Sequence, residues 1–165
     1  KNRKEYMLKK SDYFKIVLEY GKDIINNEKY LQQKNFYQHG TTSVYEHCIK
    51  VATTAVKIAM KTNAKVNMRS LVRGALLHDF FLYDWHIPDK SHRLHGFTHP
   101  YVACRNAEKE FLLNNIERDI IKRHMFPLTP VPPRYKESWI VTAADKLSAS
   151  YETVEIFIRK YKKVK

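Results

Sequence analysis

The chemistry in this sequence centres on a histidine–aspartate pair, His78-Asp79, at the end of the apolar run GALLHD. Two more residues that can bind a metal flank the pair at a distance: His47 in VYEHCIKVA and Asp145 in VTAADKLSAS. Imidazole and carboxylate ligands suit divalent Mn, Fe, Zn, Co or Mg rather than Cu(I) or an iron–sulfur cluster. A buried carboxylate costs several kcal/mol unless it is paired or binds a metal. These four residues are therefore candidate metal ligands, although a single histidine beside an apolar stripe is more often a hydrogen-bonded core residue.

Each candidate ligand lies in a segment whose apolar residues follow helical spacing. Ser43 and Glu46 form a capping-box sequence, which predicts a long helix after Ser43 with His47 beside its apolar face. A second helix is predicted from about residue 67 to 80, and His78 continues its buried face because it follows Ala75 by three residues. The last helix is predicted to start near residue 137 and to carry Asp145. Its apolar stripe is predicted to comprise Ile140, Val141, Ala144, Leu147, Tyr151, Val154 and Ile158.

The segments between these helices contain few strand-like alternations. Residues 82–100 hold two prolines, one glycine and four histidines, which predicts a loop, and Pro100 suits the first turn of the helix that follows. A shorter helix, IERDIIKRHM, ends before PLTPVPPRY, where the prolines forbid helix. Metal sites are commonly built from side chains on facing helices of a bundle. The prediction is an all-α, single-domain helical bundle of about six helices over residues 1–165.

The chain is strongly basic, with 30 Lys and Arg against 17 Asp and Glu and a net charge of +13. The ends, KNRKEYMLKK and RKYKKVK, are especially basic, and such blocks are usually solvated tails. A positive field attracts phosphorylated small molecules, nucleic acid and membrane surfaces alike. Nucleic acid is the less favoured partner because no zinc finger, helix-turn-helix or aromatic-plus-basic signature accompanies the charge. A basic nucleic-acid-binding helical protein with structural histidines stays open as an alternative.

The compartment is predicted from what the sequence lacks. Cys48 and Cys104 are too few and too far apart for a disulfide framework, and both lie in helical apolar patterns typical of buried free thiols. No signal-peptide core and no apolar stretch long enough to span a bilayer is present. We therefore expect a cytoplasmic protein with no membrane partner.

The segments SVYEHxxxVA, GALLHDF and VTAADKLSA, in that order, resemble the HD-domain superfamily of metal-dependent phosphohydrolases. The resemblance covers roughly residues 42–150 and implies a helical bundle with a divalent metal inside. Many members hold two ions, the second bound by two histidines between the doublet and the late aspartate, as in the dinucleoside tetraphosphate hydrolases of bacteria. His99, in FTHP just before a predicted helix, and His124, near a helix end, stand in those places. The ligand set implied by the resemblance is His47, His78, Asp79, His99, His124 and Asp145.

A paired site of this kind has a consistent chemistry. Two divalent ions about 3.5–4 Å apart can bridge a water, lower its pKa and stabilise charge on a phosphoryl oxygen. Asp79 is the natural bridging ligand, because a carboxylate can offer one oxygen to each ion, and a metal-bound hydroxide would attack phosphorus. Lys146, beside Asp145, could neutralise the substrate phosphate, and Arg123, beside His124, is a weaker candidate. The alternative for both cations is a surface charge.

Several differences from the motifs of known branches narrow the part of the superfamily that this chain resembles. The doublet runs into FFLYD and no GYP motif follows, which argues against the cyclic-dinucleotide phosphodiesterases. One-metal deoxynucleotidases of the superfamily usually place a glutamate three residues after the doublet, where this chain has Leu82. Asp84 is either a proton donor, a carboxylate behind the ligands or a plain loop residue. The nearby histidines form either a lid over the site or an exposed loop, and they are His86, His92 and His95. His39 has no assigned role.

The resulting prediction is hydrolysis of a phosphoester or phosphoanhydride in a nucleotide or another small phosphorylated metabolite. The substrate is a small anion, and the cofactor is a divalent metal, two ions of Fe, Mn, Co, Ni, Zn or Mg. The alternative function is a catalytically idle module that retains the metal and senses a nucleotide.

Overall fold

The computed structural model describes residues 10–39, 42–87 and 94–162. Most of the basic first block, the last residues of the second and His92 lie outside these ranges. The described residues form seven α-helices, one 3₁₀-helix and one two-stranded hairpin, so the all-α prediction is confirmed. The helices are α1 Lys10–Ile25, α2 Glu28–Leu31, α3 Val44–Lys61, α4 Met68–Leu77, α5 His95–Glu110, α6 Asn115–Arg123 and α7 Lys136–Lys162. The 3₁₀-helix is Gln32–Asn35, and the strands are β1 Tyr37–His39 and β2 Thr42–Ser43.

The core forms where α3, α4 and α7 pack on one another, with α1 and α6 closing two sides. Its fully buried side chains include Val51, Leu71, Leu76, Ile120 and Val141. The antiparallel hairpin pairs Tyr37 with Ser43 and leads directly into α3. Within the described residues, no helix is both long enough and apolar enough to cross a membrane.

The predicted start of α3 is confirmed by its capping geometry. The Ser43 hydroxyl accepts a hydrogen bond from the Glu46 amide, and the Glu46 carboxylate accepts one from the Ser43 amide at 2.9 Å. Together these bonds satisfy two amide groups that have no partner within the helix. Because the cap fixes the first turn of α3, it also fixes the position of His47 on that turn.

Helices α4 and α6 approach closely at a glycine. A Cβ atom on Gly74 would lie 2.4 Å from Ile120 Cδ1 and 2.9 Å from Ile120 Cβ, distances that real Cβ contacts essentially never show. Arg73 adds an ionic tie beside this contact, since its Nε lies 3.1 Å from a buried Glu117 carboxylate oxygen. These contacts bring the C-terminal ends of α4 and α6 together, and those ends carry His78 and His124.

Two predicted boundaries were wrong. Helix α4 ends at Leu77 rather than near residue 80, and His78 is its C-cap. Helix α5 begins at His95, so Pro100 lies inside it and His99 is helical rather than just before a helix. Pro100 is the sixth residue of this helix, and it lacks the amide N–H that would bond to the Gly96 carbonyl. Because only this one intrahelical bond is lost and the position is near the N-terminus, the helix tolerates the proline.

The apolar stripe predicted for α7 is correct only in its first half. Val141 and Ala144 are buried, whereas Leu147, Tyr151 and Val154 are exposed. The side chain of Ile158 lies outside the described residues. Ser148 and Glu152 take the inward face in the second half of the helix, because that face meets the polar cluster around His47 rather than the apolar core.

Candidate metal centre

Four of the candidate ligands come from three helices that pack against one another. His47 lies in the first turn of α3, His78 caps the C-terminus of α4 with Asp79 next in the chain, and Asp145 lies on α7. His47, His78 and Asp79 are buried, and the Asp145 side chain is 14% exposed. The helix packing therefore brings together residues that are up to 98 positions apart in sequence.

The first subsite comprises His47, His78, Asp145 and the Oδ2 atom of Asp79. His47 Nε2 lies 3.1 Å from Asp145 Oδ1 and 3.9 Å from Asp79 Oδ2. His78 Nε2 lies 3.4 Å from Asp79 Oδ2 and 3.8 Å from Asp145 Oδ1. Two imidazole nitrogens and two carboxylate oxygens thus converge on one point of the interior.

The second subsite comprises His99, His124 and the other oxygen of Asp79. Asp79 Oδ1 lies 3.2 Å from His99 Nε2 and 3.4 Å from His124 Nε2, and the two nitrogens are 2.9 Å apart. His99 comes from the second turn of α5, and His124 is the C-cap of α6. Asp79 therefore presents one carboxylate oxygen to each subsite, which is the arrangement of a bridging ligand. The groups whose potential ligand atoms all lie within 4.8 Å of one another are His47/His78/Asp79, His78/His124/Asp145 and Asp79/His99/His124.

Hydrogen bonds to backbone carbonyls fix the tautomers of three of these histidines. The Nδ1 atoms of His78, His99 and His124 lie 2.7–2.8 Å from the carbonyl oxygens of Ala75, His95 and Ile121. A carbonyl oxygen only accepts, so each Nδ1 carries a proton, and each ring directs its Nε2 atom into the centre.

Two buried polar atoms of the candidate ligands lack a hydrogen-bond partner within the described part of the chain. His78 Nε2 and Asp79 Oδ1 are buried and have no hydrogen-bond partner among the described residues. Burying such atoms unpaired is costly, and a cation that accepts their lone pairs would remove the cost. The donor set, imidazole nitrogens plus carboxylate oxygens, is the set that divalent transition metals prefer. The residues present therefore fit a divalent metal.

The protonation of the first subsite follows from the same contacts. Burial alone lowers the pKa of His47, but hydrogen bonds to Asp145 and Glu152 outweigh it and raise that pKa to about 10. Burial raises the pKa of Asp79, yet the charge of His78 and contacts with His124 and His99 hold it well below its usual range. The pKa of Asp145 is lowered in the same way, against its burial, by His47 and His78. Both carboxylates are therefore ionised at neutral pH, the form in which they bind a metal.

Sequence reasoning missed Glu152, which supports His47 from behind. Glu152 Oε2 lies 3.2 Å from His47 Nδ1, and Lys50 Nζ contacts Glu152 Oε1 at 3.2 Å. Glu152 is 3% exposed and follows Asp145 by seven residues, two turns along the same face of α7. The seven-residue spacing from Asp145 was the signal that could have identified Glu152. It was missed because α7 was assigned an apolar stripe.

Gln38 is a second contact that sequence reasoning missed. This β1 residue donates from Nε2 to Asp79 Oδ2 at 2.8 Å, while its Oε1 is buried without a hydrogen-bond partner among the described residues. The hairpin thereby orients the bridging carboxylate. Nothing in the sequence around Gln38 singles it out, because its role depends on how the hairpin lies against the helices.

The two candidate substrate-binding cations lie in different surroundings. Lys146 Nζ approaches the carbonyl oxygen of His124 at 3.4 Å, which puts its charge beside the second subsite. Partial burial lowers the pKa of Lys146 and neighbouring Asp145 opposes that shift. Arg123 instead lines a cleft on the outer side of α6, together with Arg134.

The residues after the doublet build an aromatic layer behind His99. The ring of His95 stacks on His99 with centroids 4.5 Å apart and on Trp85 at 5.1 Å, and the Tyr83 hydroxyl lies 2.9 Å from His95 Nδ1. His86 stacks on the other face of Trp85 at 4.0 Å. Asp84 accepts hydrogen bonds from the backbone and ring of His86. His95 thus belongs to the wall of the second subsite, and His86 lies one aromatic ring further out.

Comparison with known proteins agrees with this geometry. The family model described as HD domain matches residues 44–150, which include all six candidate ligands. No curated protein and no solved structure matches the chain significantly. The matched span is well over half of the chain, and it begins at the first residue of α3 and ends within α7. This chain therefore belongs to the HD-domain family.

Proposed function

We propose that this protein is a phosphohydrolase whose centre holds two divalent ions, one in each subsite. The first ion would be held by His47, His78, Asp145 and Asp79, and the second would be held by His99, His124 and Asp79. The observation that carries the proposal is the convergence of imidazole Nε2 atoms on both oxygens of one buried carboxylate. Nitrogen-rich ligation suits Fe, Mn, Co, Ni or Zn, and Mg is the least favoured of the candidate metals.

The proposed reaction is hydrolysis of a phosphoester or phosphoanhydride in a nucleotide or another small phosphorylated metabolite. Bound divalent ions would lower the pKa of a coordinated water and stabilise charge on a phosphoryl oxygen. Asp79 holds the two subsites in fixed relation, and Gln38 holds Asp79 through its 2.8 Å hydrogen bond. Lys146 lies beside the second subsite, where its positive charge favours binding of a substrate phosphate.

The test combines metal content with turnover. The protein, purified without chelators, is analysed by elemental mass spectrometry and then assayed against nucleotides and other phosphate esters with added Mn²⁺, Fe²⁺, Co²⁺, Ni²⁺, Zn²⁺ or Mg²⁺. We expect about two ions per chain, release of phosphate or nucleotide from at least one substrate, and activity at blank level for Asp79→Ala. Asp12→Asn serves as the control, because that carboxylate lies on α1 and pairs with Lys15.

Each contrary result has a defined meaning. Full activity in Asp79→Ala would refute the assignment of the bridging carboxylate. Nucleotide binding without turnover under all six metals would overturn the hydrolase in favour of a metal-retaining sensor module. If no metal is bound and none is taken up on reconstitution, the cluster is structural and the catalytic proposal fails.

A further inference from the structure

A strongly basic cleft lies on the outer side of α6, apart from the candidate metal centre. Its walls are the exposed face of α6 and the segment that leads into α7, and it encloses about 330 Å³. Four of its lining side chains are cations, namely Arg118, Lys122, Arg123 and Arg134. Tyr135 adds a half-buried phenol to the same wall.

The two carboxylates near this cleft leave it with an excess of two positive charges. Glu108 pairs with Arg118 at 2.8 Å. Asp119, which also lines the cleft, is 9% exposed, and its Oδ2 accepts hydrogen bonds from the Arg134 backbone amide and the Ser138 hydroxyl. Among the described residues, no carboxylate forms an ion pair with the side chains of Lys122, Arg123 or Arg134. Three unpaired cations in one concavity raise the local concentration of anions.

We propose that this cleft is a second anion site that binds the di- or triphosphate group of a small molecule. Two arginines offer planar sets of N–H donors that match phosphate oxygens bidentately, and lysine adds a compact charge. The cleft is a concavity between one short helix and the segment that leads into α7, rather than an extended line of cations. That shape suits a compact polyanion better than the backbone of a nucleic acid, which needs cations spaced along a strand.

An anion bound in the cleft would be linked to the metal centre through α6. Arg123 precedes His124, the C-cap of α6, and three of the four cleft cations lie on that helix. Lys146 bonds to the His124 carbonyl from the opposite side. Binding itself depends only on the cleft residues, so it stands or falls separately from the proposed hydrolase activity.

The experiment uses the full chain freed of metal by a chelator, so that the metal centre cannot hold phosphate. Inorganic triphosphate is titrated calorimetrically into the wild-type protein and into Arg123→Gln/Arg134→Gln. We expect binding that weakens about tenfold or more in the double variant, because two charge-assisted contacts are lost. The matched control is Lys57→Gln/Lys61→Gln, which removes the same charge from the exposed face of α3. In that control we expect a change of less than about twofold from long-range attraction alone.

Titrations with ATP, adenosine and a single-stranded oligonucleotide show which kind of molecule supplies the phosphates. ATP binding with no binding of adenosine would support recognition through the phosphates. Equal weakening in both double variants would overturn the proposal, because net charge rather than the cleft would then explain binding. Absence of triphosphate binding, or binding of single-stranded oligonucleotide without any binding of triphosphate, would overturn it as well.

Discussion

The first subsite of the candidate metal centre holds one of its two histidines through a carboxylate, whereas the second holds both of its histidines through backbone carbonyls. In the first subsite, His47 Nδ1 contacts the carboxylate of Glu152, which is itself held by Lys50. In the second, His99 and His124 donate from Nδ1 to carbonyl oxygens of their own helices. A charged acceptor makes the imidazole a stronger ligand than a neutral carbonyl does. The first subsite should therefore bind its ion more tightly.

The difference follows from where each histidine lies on its helix. His124 and His78 are C-caps, and the last carbonyls of a helix lack intrahelical partners, so a ring N–H can use them. His47 lies in the first turn of α3, where the carbonyls before it already accept from the helix. For His47 the acceptor lies on another element, since α7 supplies Glu152.

The two subsites also differ in their number of ligands, and this difference gives the largest expected effect. Apart from Asp79, the first subsite has three ligands and the second has two. We expect the number of ions bound per chain to fall from about two in the wild type to about one in His99→Ala/His124→Ala, with the remaining ion at the first subsite. Metal content measured by elemental mass spectrometry tests this, with circular dichroism as the check on folding.

A matched pair of variants completes that test. His47→Ala/Asp145→Ala removes two ligands from the first subsite, and we expect it to lose that ion and to hold the other only weakly. Loss of both ions from His99→Ala/His124→Ala would show that the first subsite does not bind its ion independently, contrary to this expectation.

The next effect concerns the carboxylate behind His47. We expect Glu152→Gln to weaken metal binding at the first subsite about 10- to 100-fold, because the amide supports the imidazole less than the carboxylate does. Competition with a chromophoric chelator, starting from metal-free protein, measures this affinity. Binding at the second subsite should stay unchanged.

The control for that variant removes the same charge at a distance. Glu108 lies on α5 and pairs with Arg118, so Glu108→Gln changes the net charge equally without touching His47. An identical loss of affinity in both variants would mean that Glu152 acts through net charge and not through its contact with His47.

The sequence predicted the parts of this centre that lie on regular, apolar helices. The capping box of α3 and the buried position of His78 are properties of local spacing, and both were predicted correctly. Glu152 and Gln38 were missed, because a buried polar side chain is recognisable only once its partner on another element is known. The early start of α5 was also missed, because helix propensity alone does not show that Pro100 can lie in the second turn of a helix.

The smallest effect tests whether helix caps matter more for one subsite than for the other. Both α3 and α6 start with a capping box, Ser43 with Glu46 and Asn114 with Glu117. Ser43 precedes His47 by four residues, whereas Asn114 precedes His124 by ten. We expect Ser43→Ala to lower the free energy of unfolding by about 1 kcal/mol, measured by urea denaturation of the metal-free protein.

The comparison variant is Asn114→Ala, which also removes a 2.8 Å hydrogen bond to Ser70. Its loss of stability should therefore equal or exceed that of Ser43→Ala. Its effect on metal affinity should be the smaller of the two, because fraying of α6 begins at the end far from His124 while fraying of α3 begins within one turn of His47. If Asn114→Ala weakened metal binding more than Ser43→Ala, global stability and not the local position of each histidine would govern the two subsites.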